Sequence, residues 1–326
     1  VNNLLRLVGR RLIALPIMAI GVTILVFFIM AMSPVDPARA ALGESATPEA
    51  MLQFRIANGY AYPDGAPVPL FVRYWNYLLG LLAGDFGSYG QAQASVGEWI
   101  GQALPVTLQL TFFGLIIAVL ISFPLGVLAA IYRDRWPDQV IRVLSVMSIG
   151  TPSFWLGAML VLIGLKVYPG MVTGAQPVLF GAGADFGTWL MRMFLPALTL
   201  AIPVIGQMTR VVRTSMVEEL DRDYVRTALG AGIPKRVVIG RNVLRNALIT
   251  PVTVLGLRVG YLMGGAVVIE IIFNLNGMGQ VLLKGIQQNW VEVVQGAALV
   301  VALSFIIVNI IVDMLYLLIN PRIRAV

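Results

Sequence analysis

Long runs without a single charged side chain alternate along this chain with short segments that hold most of its charge. The first run, Leu12 to Met32, is 21 residues long. At 1.5 Å rise per residue it extends roughly 30 Å as a helix, enough to cross a bilayer and longer than a signal-peptide core, so a retained first span is expected. Further runs predict spans within Trp99–Tyr132 (from Leu104 onward), Val143–Leu165, Met193–Thr209, Asn246–Ile269 (if Arg258 is tolerated) and Val293–Val312. Lipid offers no hydrogen bonds to a backbone, so runs of this length must be helices. The expectation is an all-α polytopic membrane protein with six transmembrane helices.

The basic residues set an orientation. If the N-terminus faces the cytoplasm, so do Arg6, Arg10 and Arg11, then Arg133, Arg135 and Arg142, the eight Lys and Arg from Arg210 to Arg245, and Arg322 and Arg324. The positive-inside tendency then predicts both termini inside. Arg39, Arg55 and Arg73 fall in a segment long enough to be largely exempt. The same reading divides the chain into a first part, 1–32, an extracytoplasmic segment, 33–98, and a five-helix core, 99–326, with a cytoplasmic loop at 214–245.

Composition narrows the class. Hydrophobic residues make up 58% and charged ones 12% of 326 residues, with a mean hydropathy of +0.85, which fits a membrane protein and no soluble domain. There is no cysteine and no histidine. Disulfides, thiolate or imidazole metal sites and His-based catalytic triads are therefore excluded within this chain. No phosphate-binding Gly-Lys-Ser/Thr loop is present, so the chain is not an ATPase. The net charge of +7 is distributed between the apolar runs, which points to one basic membrane face and not to nucleic acid.

The segments outside the spans carry local order. Thr47 followed by Pro48 predicts a capped short helix to Ile56. In "PLFVRYWNYLLGLLAG" the residues Phe71, Tyr74, Trp75, Leu78, Leu79 and Leu82 recur at helical spacing, suited to the membrane–water boundary. This region either caps helix ends or forms a docking rim for a substrate-delivering partner. A second outer loop, Tyr168–Gly187, is rich in Gly and Pro. Seven prolines in or near the spans (Pro16, Pro105, Pro124, Pro152, Pro196, Pro203 and Pro251) reflect either ordinary membrane-helix composition or kinked helices around a pathway.

The most polar segment, "DRDYVRTALGAGIPKRVVIGRNVLRNALITP", packs six basic side chains and two aspartates between two spans. Asp223 is the expected N-cap, and Tyr224, Val225, Ala228 and Leu229 form an apolar stripe, with Arg226 and Thr227 off it. Gly230 and Gly232 can end this helix and Pro234 can open the next, which leads through Arg236, Arg241, Arg245 and Asn246 into the fifth span. So short a helix is marginal alone and must pack on something. Either the stripe rests on this chain's own helix ends, or it docks into a groove of a cytoplasmic partner, with Arg226 setting register.

This segment resembles the cytoplasmic EAA loop of permease subunits of bacterial ABC importers, in the version of the dipeptide and oligopeptide "B" subunits. "SPVDP", "RYWNYLLGLLAGDFGSYG", "LPVTLQL", "GTPSFWLGAMLV", "LPALTLAI" and "VDMLYLLINPRIR" fit the same family in the same order. The chain departs from it at Gly230, where Ala is usual, at Asn276, where Pro is usual, at Arg258, generally Gln, and in the position of Pro251. The resemblance implies a type I importer permease in the bacterial cytoplasmic membrane, working with a second homologous permease, two cytoplasmic ATPases and an extracytoplasmic substrate-binding protein. ATP and Mg would be bound by the ATPases, with no cofactor here, and the substrates would be di- or oligopeptides. Residues 223–229 with Gly232 would form the ATPase-docking helix, supported by Pro234, Arg241, Arg245 and Asn246.

Two charges lie inside the apolar runs. Arg258 either lines the pathway and meets a peptide carboxylate or pairs with Glu270 or a neighbouring subunit. In a straight helix Arg258 and Glu270 stand about 18 Å apart, too far for direct contact. Asp313 is expected to pair with local arginines. The same family fold serves nickel, glutathione and glycoside importers. A gradient-driven secondary transporter using Arg258, Glu270 and Asp313 as relays is the reading from another class, though inverted repeats are not evident.

Overall fold

The computed structural model describes residues 2–43, 45–90, 92–172, 179 and 185–319, and side chains at 2–12, 313 and 315–319 lie outside that description. In chain order the helices are α1 (Asn2–Ala31), α2 (Pro37–Leu42), α3 (Pro48–Ala57), α4 (Leu70–Leu82), α5 (Val96–Ile131), α6 (Trp136–Gly150), α7 (Ser153–Val167), α8 (Phe186–Leu220) and α9 (Asp223–Gly230). After these come α10 (Lys235–Val237), a π-helical turn (Val238–Val243), α11 (Leu244–Ala247), α12 (Ile249–Ile272), α13 (Met278–Gln287) and α14 (Val291–Ile319). Strands β1 (Ser88–Tyr89) and β2 (Ala94–Ser95) form a small antiparallel hairpin. The chain is an all-α polytopic membrane protein.

Among the described residues, five helices contain stretches long and apolar enough to cross a membrane: Ile13–Ala31, Val96–Ile131, Phe186–Leu220, Ile249–Ile272 and Val291–Val312. The span expected over Val143–Leu165 falls on a bent pair of helices, which makes a sixth if the pair crosses as one broken span. The chain there is two helices, α6 and α7, bent by 100°. Pro152 is the cause: it lacks an N–H and forces Thr151 into an extended conformation (φ −84°, ψ 121°), which the α-helix cannot include. Pro16, Pro196 and Pro203 remain inside continuous helices.

The chain divides into two compact units, residues 1–107 with 276–307 and residues 108–275 with 308–326. In the first, Val96, Ile100 and Ala103 of α5 pack with Met278 and Val281 of α13 and Val293 and Ala297 of α14. Thr107 anchors the start of α13 by accepting the Met278 N–H through its hydroxyl at 2.9 Å. Rings of Tyr89, Trp99 and Trp290 pack beside this core. The expected Thr47 cap is present, with its hydroxyl accepting the Ala50 N–H. Helix α4 turns Tyr74 inward, onto the Phe27 ring and the Thr23 hydroxyl, and leaves Phe71, Trp75, Leu79 and Leu82 exposed. The Tyr168–Gly187 segment falls largely outside the described residues.

In the second unit α8 is the central element, with Met193, Ala197, Leu200, Val204, Met208, Val212 and Met216 buried along it. Asp185 caps its start, accepting the Thr188 N–H at 2.9 Å. The α6–α8 crossing is close enough that a β-carbon on Gly206 would stand 2.0 Å from the Ser148 hydroxyl and 2.6 Å from the Ser145 carbonyl. The same two helices are tied by a two-pronged ion pair: Arg213 donates from Nε to Asp138 Oδ1 at 2.8 Å and from Nη2 to Oδ2 at 2.7 Å. Asp138 is fully buried and also accepts the Asp134 N–H.

Removing one partner of a buried pair strands the other. Asp138→Ala is expected to lower stability by about 3–5 kcal/mol, read as a fall in the thermal midpoint of the detergent-purified protein. The Asp138→Asn, Arg213→Gln double variant should be milder than Asp138→Ala. Equal loss in both would show that the pair does not hold α6 to α8.

Candidate functional site

The polar segment between α8 and α12 folds as a short helix held on a small apolar core. Val225 is the buried residue of α9 and lies with Ala130 of α5, Val212 and Met216 of α8, Val238 and Val243 of the π turn, and Ala247 of α11. Ala228 packs at the edge of the same cluster. The four-residue stripe expected for docking is therefore divided. Val225 and Ala228 face this chain's own core, whereas Tyr224 and Leu229 are 36% and 42% exposed. An eight-residue helix turns 100° per residue, so once Val225 is fixed inward the residue before it points aside, and Leu229, in the last turn, runs past the core. Ile233 and Val237 extend the exposed apolar strip beyond the helix.

Both helix ends are specified. The N-cap is Arg222 (φ −70°, ψ 147°) and not the expected Asp223, which sits in the first helical turn. There the carboxylate faces the positive end of the helix dipole instead of capping by hydrogen bond. At the other end Ile233 N–H bonds the Ala228 carbonyl at 3.2 Å and Gly232 N–H bonds that of Leu229 at 3.0 Å. This 6→1 and 5→2 pattern is a Schellman stop, and Gly232 (φ +80°) supplies the left-handed residue it needs. Gly230 is the last helical residue and has open space around it, so it plays no part in the turn.

A polar cluster fastens α9 laterally. The Tyr224 hydroxyl donates to Glu219 Oε1 at 2.9 Å, and Asn246 Nδ2 donates to the same oxygen at 3.2 Å. Arg222 approaches the other carboxylate oxygen at 3.9 Å. Partial burial and then the bond to Glu219 push the Tyr224 phenol above its ordinary range, so it remains a donor. Glu219 was not singled out from sequence. Its only signal is its place one turn before α9, and the partner Asn246 lies 27 residues away.

Pro234 precedes α10 as its N-cap residue, and Arg241 occupies the π turn. Arg241, Arg245 and Arg226 are exposed, and no acidic group among the described residues lies within ion-pair distance of them. Thr227 returns its hydroxyl to the Asp223 carbonyl at 3.0 Å. The site thus presents one half-exposed tyrosine, an apolar strip and unpaired guanidinium groups on a fixed base.

Arg258 and Glu270 both lie on the unbroken helix α12, so they are held about 18 Å apart along its axis and form no pair. Arg258 is half-buried, and its Nε has no hydrogen-bond partner among the described residues. Glu270 is fully buried and engaged in an interaction within the chain, so it does not face an open passage here. The side chain of Asp313 lies outside the described residues. No group of His, Cys, Asp or Glu that could hold a metal occurs among the described residues.

Comparison with known proteins places the whole chain. Residues 122–325 match the family described as binding-protein-dependent transport system inner membrane component, and residues 4–111 match the corresponding N-terminal family. The chain is 36% identical to the probable D,D-dipeptide transport system permease protein DdpB of Escherichia coli (strain K12), over 96% of each chain. It is 37% identical to the glutathione transport system permease protein GsiC of Salmonella choleraesuis (strain SC-B67), over 98% of this chain and 99% of that protein. The GsiC of Escherichia coli (strain K12) is 36% identical with the same coverage.

Glu219 generates a local prediction. Glu219→Ala leaves the Tyr224 hydroxyl and the Asn246 amide without their shared acceptor, so amide exchange across Tyr224–Gly230 should accelerate several-fold while α5 and α8 stay protected. Gly230→Ala should slow it, since Ala is favoured over Gly in a helix by up to about 1 kcal/mol. Unchanged exchange in both variants would mean that Val225 burial alone fixes α9.

Proposed function

This chain belongs to the inner-membrane components of binding-protein-dependent transport systems, and we propose that it forms half of the translocation pathway of an ATP-driven importer of short peptides. It is a permease subunit of a bacterial inner membrane. In this reading both termini and the α9 segment face the cytoplasm, as the distribution of Lys and Arg indicates. A second homologous permease completes the pathway, two ATPase subunits bind ATP and Mg below it, and an outer binding protein delivers the substrate.

One observation carries the coupling role: α9 is anchored and exposed at once. Val225 is locked among residues of α5, α8, the π turn and α11, so a displacement of α9 is passed to helices that enter the membrane. Tyr224, Leu229 and Ile233 remain free to enter a groove on an ATPase, and Arg226 is available to an acidic rim. When ATP closes the ATPase pair, α9 moves as a rigid piece and the bundle switches access. Arg258 lines the pathway in this scheme, since a half-buried guanidinium with an unsatisfied Nε suits a passing carboxylate. The 37% identity to a glutathione permease supports a second substrate, a γ-linked tripeptide, on the same machinery.

The test uses the assembled transporter in proteoliposomes with its binding protein. Gly232→Pro and Tyr224→Asp should leave membrane insertion intact while abolishing ATP-dependent dipeptide uptake. The first cannot adopt φ +80°, and the second puts a charge where an apolar ring would dock. Normal uptake in both would remove α9 as the coupler. Competition by glutathione against a dipeptide separates the two substrates.

A further inference from the structure

The first unit contains an open cleft of about 590 Å³, within the size range of small-molecule sites and remote in sequence from α9 and Arg258. Its wall is built around Tyr60. The guanidinium of Arg73 lies over the Tyr60 ring, 4.3 Å from its centre, and the Tyr60 hydroxyl donates to Glu292 Oε1 at 2.5 Å. One aromatic side chain therefore holds a cation on its face and an anion at its tip. Arg73 has no carboxylate within ion-pair distance among the described residues, so the two charges are kept apart and not spent on each other. Burial and the adjacent Glu292 charge push the Tyr60 phenol up, which keeps it a donor.

The fold makes room for this arrangement. Gly87, with φ +82°, approaches so closely that a β-carbon would lie 3.1 Å from Glu292 Cγ. Asn76 and Gln93 add amide groups to the lining, Phe86 an apolar ring and Asp85 a second carboxylate, whose Oδ1 accepts the Gly87 N–H. The Arg73 guanidinium on the face of Tyr60 and the Glu292 carboxylate at its tip, both lining one cleft, match a small zwitterion with a free carboxylate and a free ammonium group. An anion alone would meet Glu292, and a cation alone would meet Arg73. We propose that this cleft is a subsite for the two charged ends of a short peptide, with Arg73 binding the carboxylate and Glu292 the ammonium group. The identification of the zwitterion as a peptide rests on the proposed transport function. The complementary charges themselves do not.

The experiment measures equilibrium binding of radiolabelled Ala-Ala to the whole transporter in lipid nanodiscs, without nucleotide and without the binding protein. N-acetyl-Ala-Ala and Ala-Ala amide serve as competitors. Wild type should bind Ala-Ala saturably and disfavour each blocked form at least tenfold. In Arg73→Gln the discrimination against the amide should vanish, and in the isosteric Glu292→Gln the discrimination against the acetylated form. Elution of the intact complex shows that each variant is folded. Absence of saturable binding to wild type, or discrimination unaltered in both variants, overturns the subsite. ATP-driven uptake of the same dipeptide with the binding protein present is measured in parallel. Loss of uptake selectivity for peptides, with the binding pattern intact, upholds the cleft as a zwitterion site and refutes only the peptide-transport reading.

Discussion

The packing of α8 against its neighbours is the constraint on which the second unit depends. This helix runs unbroken from Phe186 to Leu220 through two prolines. It touches α6 so closely at Gly206 that no side chain fits, locks to it through Arg213 and Asp138, and contributes Val212 and Met216 to the core under α9. Glu219 in its last turn then holds Tyr224 and Asn246. Apolar packing, an ion pair and a polar cluster follow one another along a single element. A helix is stiff along its axis, so an element fixed at these points transmits displacement better than a loop would.

Much of this was legible in the sequence, because lipid imposes a rule that is readable locally. A charge-free run has to be a helix, and the spans over Leu12–Met32, Met193–Thr209 and Val293–Val312 follow from that rule alone. The bend inside Val143–Leu165 is a feature that hydrophobic periodicity does not reveal. Composition counts Pro152 as one more membrane proline, like Pro196 and Pro203, yet only Pro152 coincides with a bend of 100°. Whether a proline kinks or breaks a helix depends on what packs beside it. That information lies elsewhere in the chain.

The candidate site divides along the same line. A glycine stop after Leu229, the Thr47 cap and a short helix beginning near Asp223 depend on neighbours within a few positions and were legible. The rotation of α9 was not, because it is fixed by Val212, Met216 and Val243, which no helical wheel of eight residues contains. Asp223 looked like a cap because Asp is a good one, but the extended residue turned out to be Arg222. Glu219, Asp138 and Arg213 were invisible for a related reason. Charges beside a span mark topology in the sequence, and only the fold shows which of them are partners.

The division of the α9 stripe bears on what a coupling element has to be. A helix of eight residues is below the length that holds helicity in water. If all four apolar residues went to a partner, α9 would be ordered only when the partner was present, and ordering would absorb part of each push. If all four went inward, nothing would be left to grip. Val225 and Ala228 inward with Tyr224 and Leu229 outward meets both needs. The π-helical turn that follows fits this view. It adds a residue to the turn between α10 and α11, which places Val238 and Val243 together on the core while Arg241 stays outside. The basic face that the sequence displays so plainly is what remains exposed after the apolar residues have been used to hold the element still.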